Sequence, residues 1–127
     1  MQNRHLFEYA IIRVVPRVER EEFINVGVIL FCAKQKFLKC IFEVNLTRLA
    51  AFACEVEAEV IQSNLSSIEK ICCGGKEAGA IGQLDLASRF RWLTATRSTV
   101  VQASKVHPGF CSNADETLNE LFNKMVL

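Results

Sequence analysis

Tyr9-Ala10-Ile11-Ile12-Arg13-Val14-Val15-Pro16-Arg17-Val18-Glu19-Arg20-Glu21-Glu22-Phe23-Ile24-Asn25-Val26-Gly27-Val28-Ile29-Leu30-Phe31-Cys32-Ala33 is the stretch on which the fold turns. Its two ends, residues 9–15 and 23–31, are rich in β-branched and aromatic side chains and contain no internal proline. Both runs are too short and too evenly apolar for amphipathic helices, so they read as strands. The segment between them opens with Pro16 and carries Arg17, Glu19, Arg20, Glu21 and Glu22. It forms a charged connector, either a hairpin loop or a short crossover.

Side chains alternate between faces along a strand, which puts Tyr9, Ile11, Arg13 and Val15 on one side and Ala10, Ile12 and Val14 on the other. Arg13 is the anomaly. A guanidinium in an apolar strand must be paired or must open onto a cleft, because burying its charge unpaired costs several kcal/mol. In the second strand the same alternation groups Asn25 and Gly27 with Ile29 and Phe31, and a glycine inside a strand marks a bulge or a close approach. Arg13, Asn25 and Gly27 thus come to the charged end of a strand pair, either as a binding site or with Arg13 in a structural ion pair to Glu22 or Glu43.

Working outward, Phe37 to Val44 resumes the alternation, with Leu38, Cys40, Phe42 and Val44 opposite Lys39 and Glu43. This completes a three-stranded antiparallel meander over residues 9–44. Asn45 caps a short helix with Leu46, Leu49 and Phe52, and a second helix runs from about Glu55 to Cys72 with Ile61, Leu65, Ile68 and Cys72 at helical spacing. Gly74-Gly75 ends it. The glycine-rich segment 74–82 has neither the P-loop nor the dinucleotide spacing and follows a helix where those motifs follow a strand, so it reads as a mobile surface loop. Leu84 to Leu93 is a short helix with Asp85 near its start, and Val100 to Ser104 supplies a fourth strand. His107-Pro108-Gly109 reads as a turn, and a final helix follows, with Asn113 and Glu116 at capping-box spacing and an apolar stripe of Leu118, Leu121, Phe122 and Met125. The fold class is α+β, an antiparallel sheet of about four strands packed against helices in a single domain spanning 1–127.

The 127 residues are 50% hydrophobic, enough for a core, and the formal net charge is +1. That balance lacks the basic field of many nucleic-acid binders, so any anion site is local. No stretch has the length of a signal or membrane segment, and the expected location is the cytoplasm. Six cysteines, at 32, 40, 54, 72, 73 and 111, lack Cys-x-x-Cys or zinc-finger spacing. They read as buried free thiols, with no metal and no cofactor. The link from Thr94 to Thr99 gathers hydroxyls around Arg97, donors suited to a phosphate or carboxylate, a reading that does not exclude Arg97 pairing with a connector glutamate. Arg13, Arg17, Arg20, Glu22, Asn25, Arg97, Ser98 and Thr99 are therefore the candidate binding residues. Glu22 and His107 are the candidates for proton transfer.

The pattern Tyr9, Arg13, Pro16-Arg17, Glu19-Arg20, Glu22-Phe23, Asn25 and Gly27-Val28, followed by Arg89-Phe90-x-Trp92-Leu93 and Arg97-Ser98-Thr99, resembles the bacterial family called domain of unknown function 3037. Thr96 departs from it, where proline is expected before the Arg-Ser pair. The resemblance implies a small bacterial cytoplasmic protein of no established activity, and a partner among proteins like HipA-type kinases. It supports one constellation of Arg13, Arg20, Glu22, Asn25, Arg97 and Ser98 without giving any of them a role.

Three function classes follow. A binding or regulatory module would grip an anionic group on a partner or small ligand. An enzyme acting on a phosphoester or similar anion would use Glu22 or His107 as base and the arginines for developing charge, but lacks the paired acids that hold magnesium. Nucleic-acid binding through Arg89, Arg91 and Trp92 is opposed by the near-neutral charge. The binding module is the expected function, and an enzyme is the alternative.

Overall fold

A computed structural model describes residues 4–51, 57–97 and 99–127. The strands are β1 (His5–Val14), β2 (Ile24–Cys32), β3 (Phe37–Phe42), β4 (Val101–Ala103) and β5 (His107–Cys111). The α-helices are α1 (Leu46–Ala51), α2 (Ala58–Cys73), α3 (Leu86–Leu93) and α4 (Ala114–Met125). All pairings are antiparallel, in the order β3-β2-β1-β4, with β5 also on β1. The α+β class and the meander are as the sequence reads. β1 is long enough for two partners on one edge: β4 along Ile12 to Val14 and β5 along His5 to Tyr9.

Three sequence expectations change. His107-Pro108-Gly109 is not a turn but the start of β5, with His107 opposite Tyr9 and Pro108 opposite Glu8. Proline is tolerated there because an edge strand has one side without ladder bonds. Asn25 does not share a face with Ile29, because the register slips between Ile12 and Arg13. Ile12 lies opposite Gly27 and Arg13 opposite Asn25, leaving Val26 as the extra residue of a bulge. Segment 74–82 is folded back on itself: two 3-10 turns, Lys76–Ala78 and Ile81–Gln83, are closed by the Gly75 N–H donating to the Gly82 carbonyl at 2.9 Å. The expected start of the second helix and Phe52 and Cys54 fall outside the described residues.

Helices cover both sheet faces. Ala10, Ile12, Val14, Ile29 and Cys40 pack with Ile61 and Leu65 of α2 and Phe90 and Leu93 of α3. Phe7, Val28, Leu30 and Cys32 pack with Leu118 of α4. Fully buried Phe90 stacks on Phe31 with ring centroids 5.4 Å apart. Asn45 and Asn113 cap as the sequence reads, Asn45 Oδ1 accepting from Arg48 N–H and Asn113 Oδ1 from Glu116 N–H, and Asp85, at the start of α3, caps it by accepting from Ser88 N–H at 2.7 Å. Gly27 allows a close β2–β3 approach, since a Cβ there would lie 2.6 Å from the Ile41 carbonyl oxygen.

Candidate functional site

The arginines sort by what lies beside them. An α-helix leaves its last four carbonyls without intrahelical donors, and the negative end of its dipole favours a cation there. Each of the three longer helices ends on an arginine. Arg89, buried, donates from Nη1 to Ile71 and Cys72 carbonyls at the end of α2 and from Nε to Leu84. Arg97 lies with its Cζ 4.4 Å from the centroid of the Trp92 ring and donates to the Trp92, Leu93 and Ala95 carbonyls at the end of α3. Arg48 donates from Nη1 to the Val126 carbonyl at the end of α4, at 2.8 Å. The expected pairing of Arg97 with a connector glutamate is thus replaced by helix capping.

Arg13 is different. Its Cζ sits 4.2 Å from the centre of the Phe23 ring, and its Nε is buried without an acceptor among the described residues. Neither expected carboxylate pairs with it: Glu22 is taken by Arg20 at 2.5 Å on the exposed connector, and Arg13 has no ion pair to Glu43 among the described residues. Across the ladder Arg13 faces Asn25 on β2 and Gln102 on β4. Directly opposed residues of an antiparallel pair share a face, so Asn25, Arg13 and Gln102 form one polar row by register, with Gln102, on the edge strand β4, also bordering the groove on the α2–α3 side. Asn25 Nδ2 donates to the Met125 carbonyl at 3.1 Å, while its Oδ1 is buried without a donor among the described residues. Gln102 Nε2 donates to the Thr99 carbonyl.

The expected constellation is therefore divided. Arg13 and Asn25 come together, and Gln102 and Phe23, which the sequence reading passed over, belong with them. Arg20 and Glu22 pair with each other in the connector, where Arg17 is also exposed and has an interaction of its own. Arg97 and Thr99 lie on the opposite sheet face, and Ser98 lies outside the described residues. His107 is on β5 with its ring 5.4 Å from Tyr9, four strand positions from Arg13, or about 13 Å at ~3.3 Å per residue. Glu22 and His107 do not converge. Of the residues invoked for nucleic acid, Arg89 is buried, Arg91 is held in two bonds by Glu8, and Trp92, still exposed, has Arg97 against its ring.

On the α2–α3 face a groove of about 240 Å³ opens between α2, α3 and β4. Ile12, Ile29, Ile68, Ile71 and Val101 supply its apolar floor, and Asn64, Ser67, Arg97, Thr99 and Gln102 its polar rim. A second recess, between β3 and α2, contains Cys40, Cys72 and exposed Cys73. The Cys72 thiol is pushed far above its ordinary pKa by its contact with the Cys40 thiol and by burial, which keeps it protonated and poorly nucleophilic. Among the described residues there is no cluster of three or more histidine, cysteine or acidic side chains placed for a metal. None of their helices is long and apolar enough to cross a membrane.

Together these features define a small α+β protein with an antiparallel sheet between helices and a polar row at one end of its longest strand. The model of the family described as Protein of unknown function (DUF3037) matches residues 9–126, and the chain belongs to that family. No curated protein and no solved structure matches the chain.

Proposed function

We propose that this protein is a non-catalytic binding module that closes on an anionic group, a carboxylate or phosphate, at Arg13. One observation carries the reading: Arg13 is a partly buried guanidinium with a buried Nε that meets no acceptor, and no carboxylate neutralises it among the described residues. Such a charge is costly in the free protein and becomes favourable when an anion completes it through charge-assisted, bidentate hydrogen bonds. Gln102 and Asn25 flank the guanidinium and limit how an anion approaches. The anion belongs to a partner protein, and the HipA-type kinase-like proteins to which the sequence resemblance points are the first to test. The separation of Glu22 from His107 gives the enzyme alternative no support.

The test is thermal unfolding of the wild type and Arg13→Met with inorganic phosphate, phosphorylated peptides and dicarboxylates, together with capture of a HipA-type protein by each. A completing ligand at a hundred times its Kd adds about 2.7 kcal/mol, and this gain is expected for the wild type alone. Equal shifts in both proteins, or none in either, would count against Arg13 as the anion site.

A further inference from the structure

We infer that the groove between α2, α3 and β4 is a second, independent binding site, for a small amphipathic anion: an unbranched acyl chain of about eight carbons ending in a carboxylate. The first argument is shape and surface. The groove's volume of about 240 Å³ has room for about eight methylene-sized groups at roughly 30 Å³ each, the share of one water in the liquid. Its floor is isoleucine and valine, a surface that gains by covering with hydrocarbon.

The second argument is charge. Among the described residues Arg97 is the one charged residue lining the groove, with no aspartate, glutamate or lysine beside it. Its guanidinium is already fixed on Trp92 by three carbonyls. A guanidinium has five N–H donors, so two remain for a ligand, held in a pre-oriented plane. Preorganisation of this kind lowers the entropy cost of binding. An apolar trough ending in one rigid cation selects a chain with an anionic head over a neutral chain of equal length. Arg13 and Asn25 do not line the groove, whereas Gln102 borders it, and its ligand does not need the Arg13 guanidinium.

Trp92 is the only tryptophan in the chain and lines the groove, so its fluorescence reports occupancy directly. Titration of the full chain with octanoate is expected to give a saturable change in Trp92 emission, with octan-1-ol binding on the order of tenfold more weakly, the discrimination of one charge-assisted hydrogen bond. Arg97→Gln removes that preference, Ala103→Leu blocks both ligands by filling the groove from β4, and Arg13→Met changes neither. If Arg97→Gln fails to fold through loss of the α3 cap, the octanoate-to-octanol comparison and Ala103→Leu decide the matter. No saturable response to octanoate, equal affinity for octanol, or unchanged binding to folded Ala103→Leu would each overturn the proposal.

Discussion

Replacing Arg13 by methionine is expected to stabilise the free protein, the opposite of what truncating a long strand side chain ordinarily does. Leaving a fully buried charge unpaired costs about 3–5 kcal/mol. Arg13 is only partly buried, so removal of its charge should recover about 1–2 kcal/mol of that penalty. Methionine keeps the apolar stem against the sheet but loses the contact of the guanidinium with the half-exposed Phe23 ring, worth about 0.5–1 kcal/mol. The balance is a gain of about 0.5–1 kcal/mol, or a rise of about 0.3–0.5 M in the urea midpoint at a slope of ~2 kcal/mol/M. Equilibrium unfolding in urea, followed by Trp92 fluorescence and by circular dichroism, measures it. Arg97→Gln is the internal contrast: it strips three carbonyls at the end of α3 of their donor and should lose about 1–2 kcal/mol. A loss above about 1 kcal/mol in Arg13→Met would refute the reasoning. It would mean that Arg13 is satisfied internally and belongs to the scaffold.

Gly74→Ala should cost about 3 kcal/mol, combining a side chain at φ +78° with a Cβ 2.6 Å from Arg89 Nη1, which displaces the guanidinium from the end of α2; chemical denaturation reads the loss. Glu8→Gln should cost no more than about 1 kcal/mol and less in high salt, because Arg91 and Glu8 meet at the surface. Asp85 titrates below the ordinary carboxylate range, held there by the N–H of Ser88 that its carboxylate accepts. With a folded pKa below the unfolded one, its stabilising contribution is present above the unfolded pKa and disappears as pH falls through the folded value. An NMR titration of the Asp85 side-chain carboxyl carbon against unfolded chain checks the direction, and a normal or raised midpoint would contradict it.

The local chemistry of the chain was legible where a rule acts over a few residues. Three β-type runs gave the meander, and Asn45, Asp85 and Asn113 cap the helices that follow them. Reading failed where an element depends on distant partners. His107-Pro108-Gly109 has the composition of a turn, and only the free edge of β1 makes it a strand. The slip that aligns Arg13 with Asn25 depends on Val26 bulging out of the ladder, and an apolar valine carries no local mark of that. The oddity of Arg13 was legible because a cation breaks the strand's alternation. Its neighbour Gln102 was not, because a glutamine in a short edge strand breaks nothing.

Why Arg13 meets no acceptor or carboxylate among the described residues follows from where it sits. Arg48, Arg89 and Arg97 each reach a helix end, where carbonyls without intrahelical donors point outward along the axis. A strand within a sheet commits its own carbonyls to the ladders on either side. β1 is the strand with partners on both edges at Arg13, β2 through Asn25 and β4 through Gln102. The backbone around Arg13 therefore has little to accept its donors, and the adjacent side chains are amides whose donors go to the Met125 and Thr99 carbonyls. A carboxylate nearby would have satisfied it, yet the connector's Glu22 is turned to Arg20. The same residue type thus closes helices at Arg48, Arg89 and Arg97, pairs with glutamates at Arg20 and Arg91, and at Arg13 meets no carboxylate among the described residues. That asymmetry is why the arginines do not form one constellation, and why an external anion is sought at Arg13.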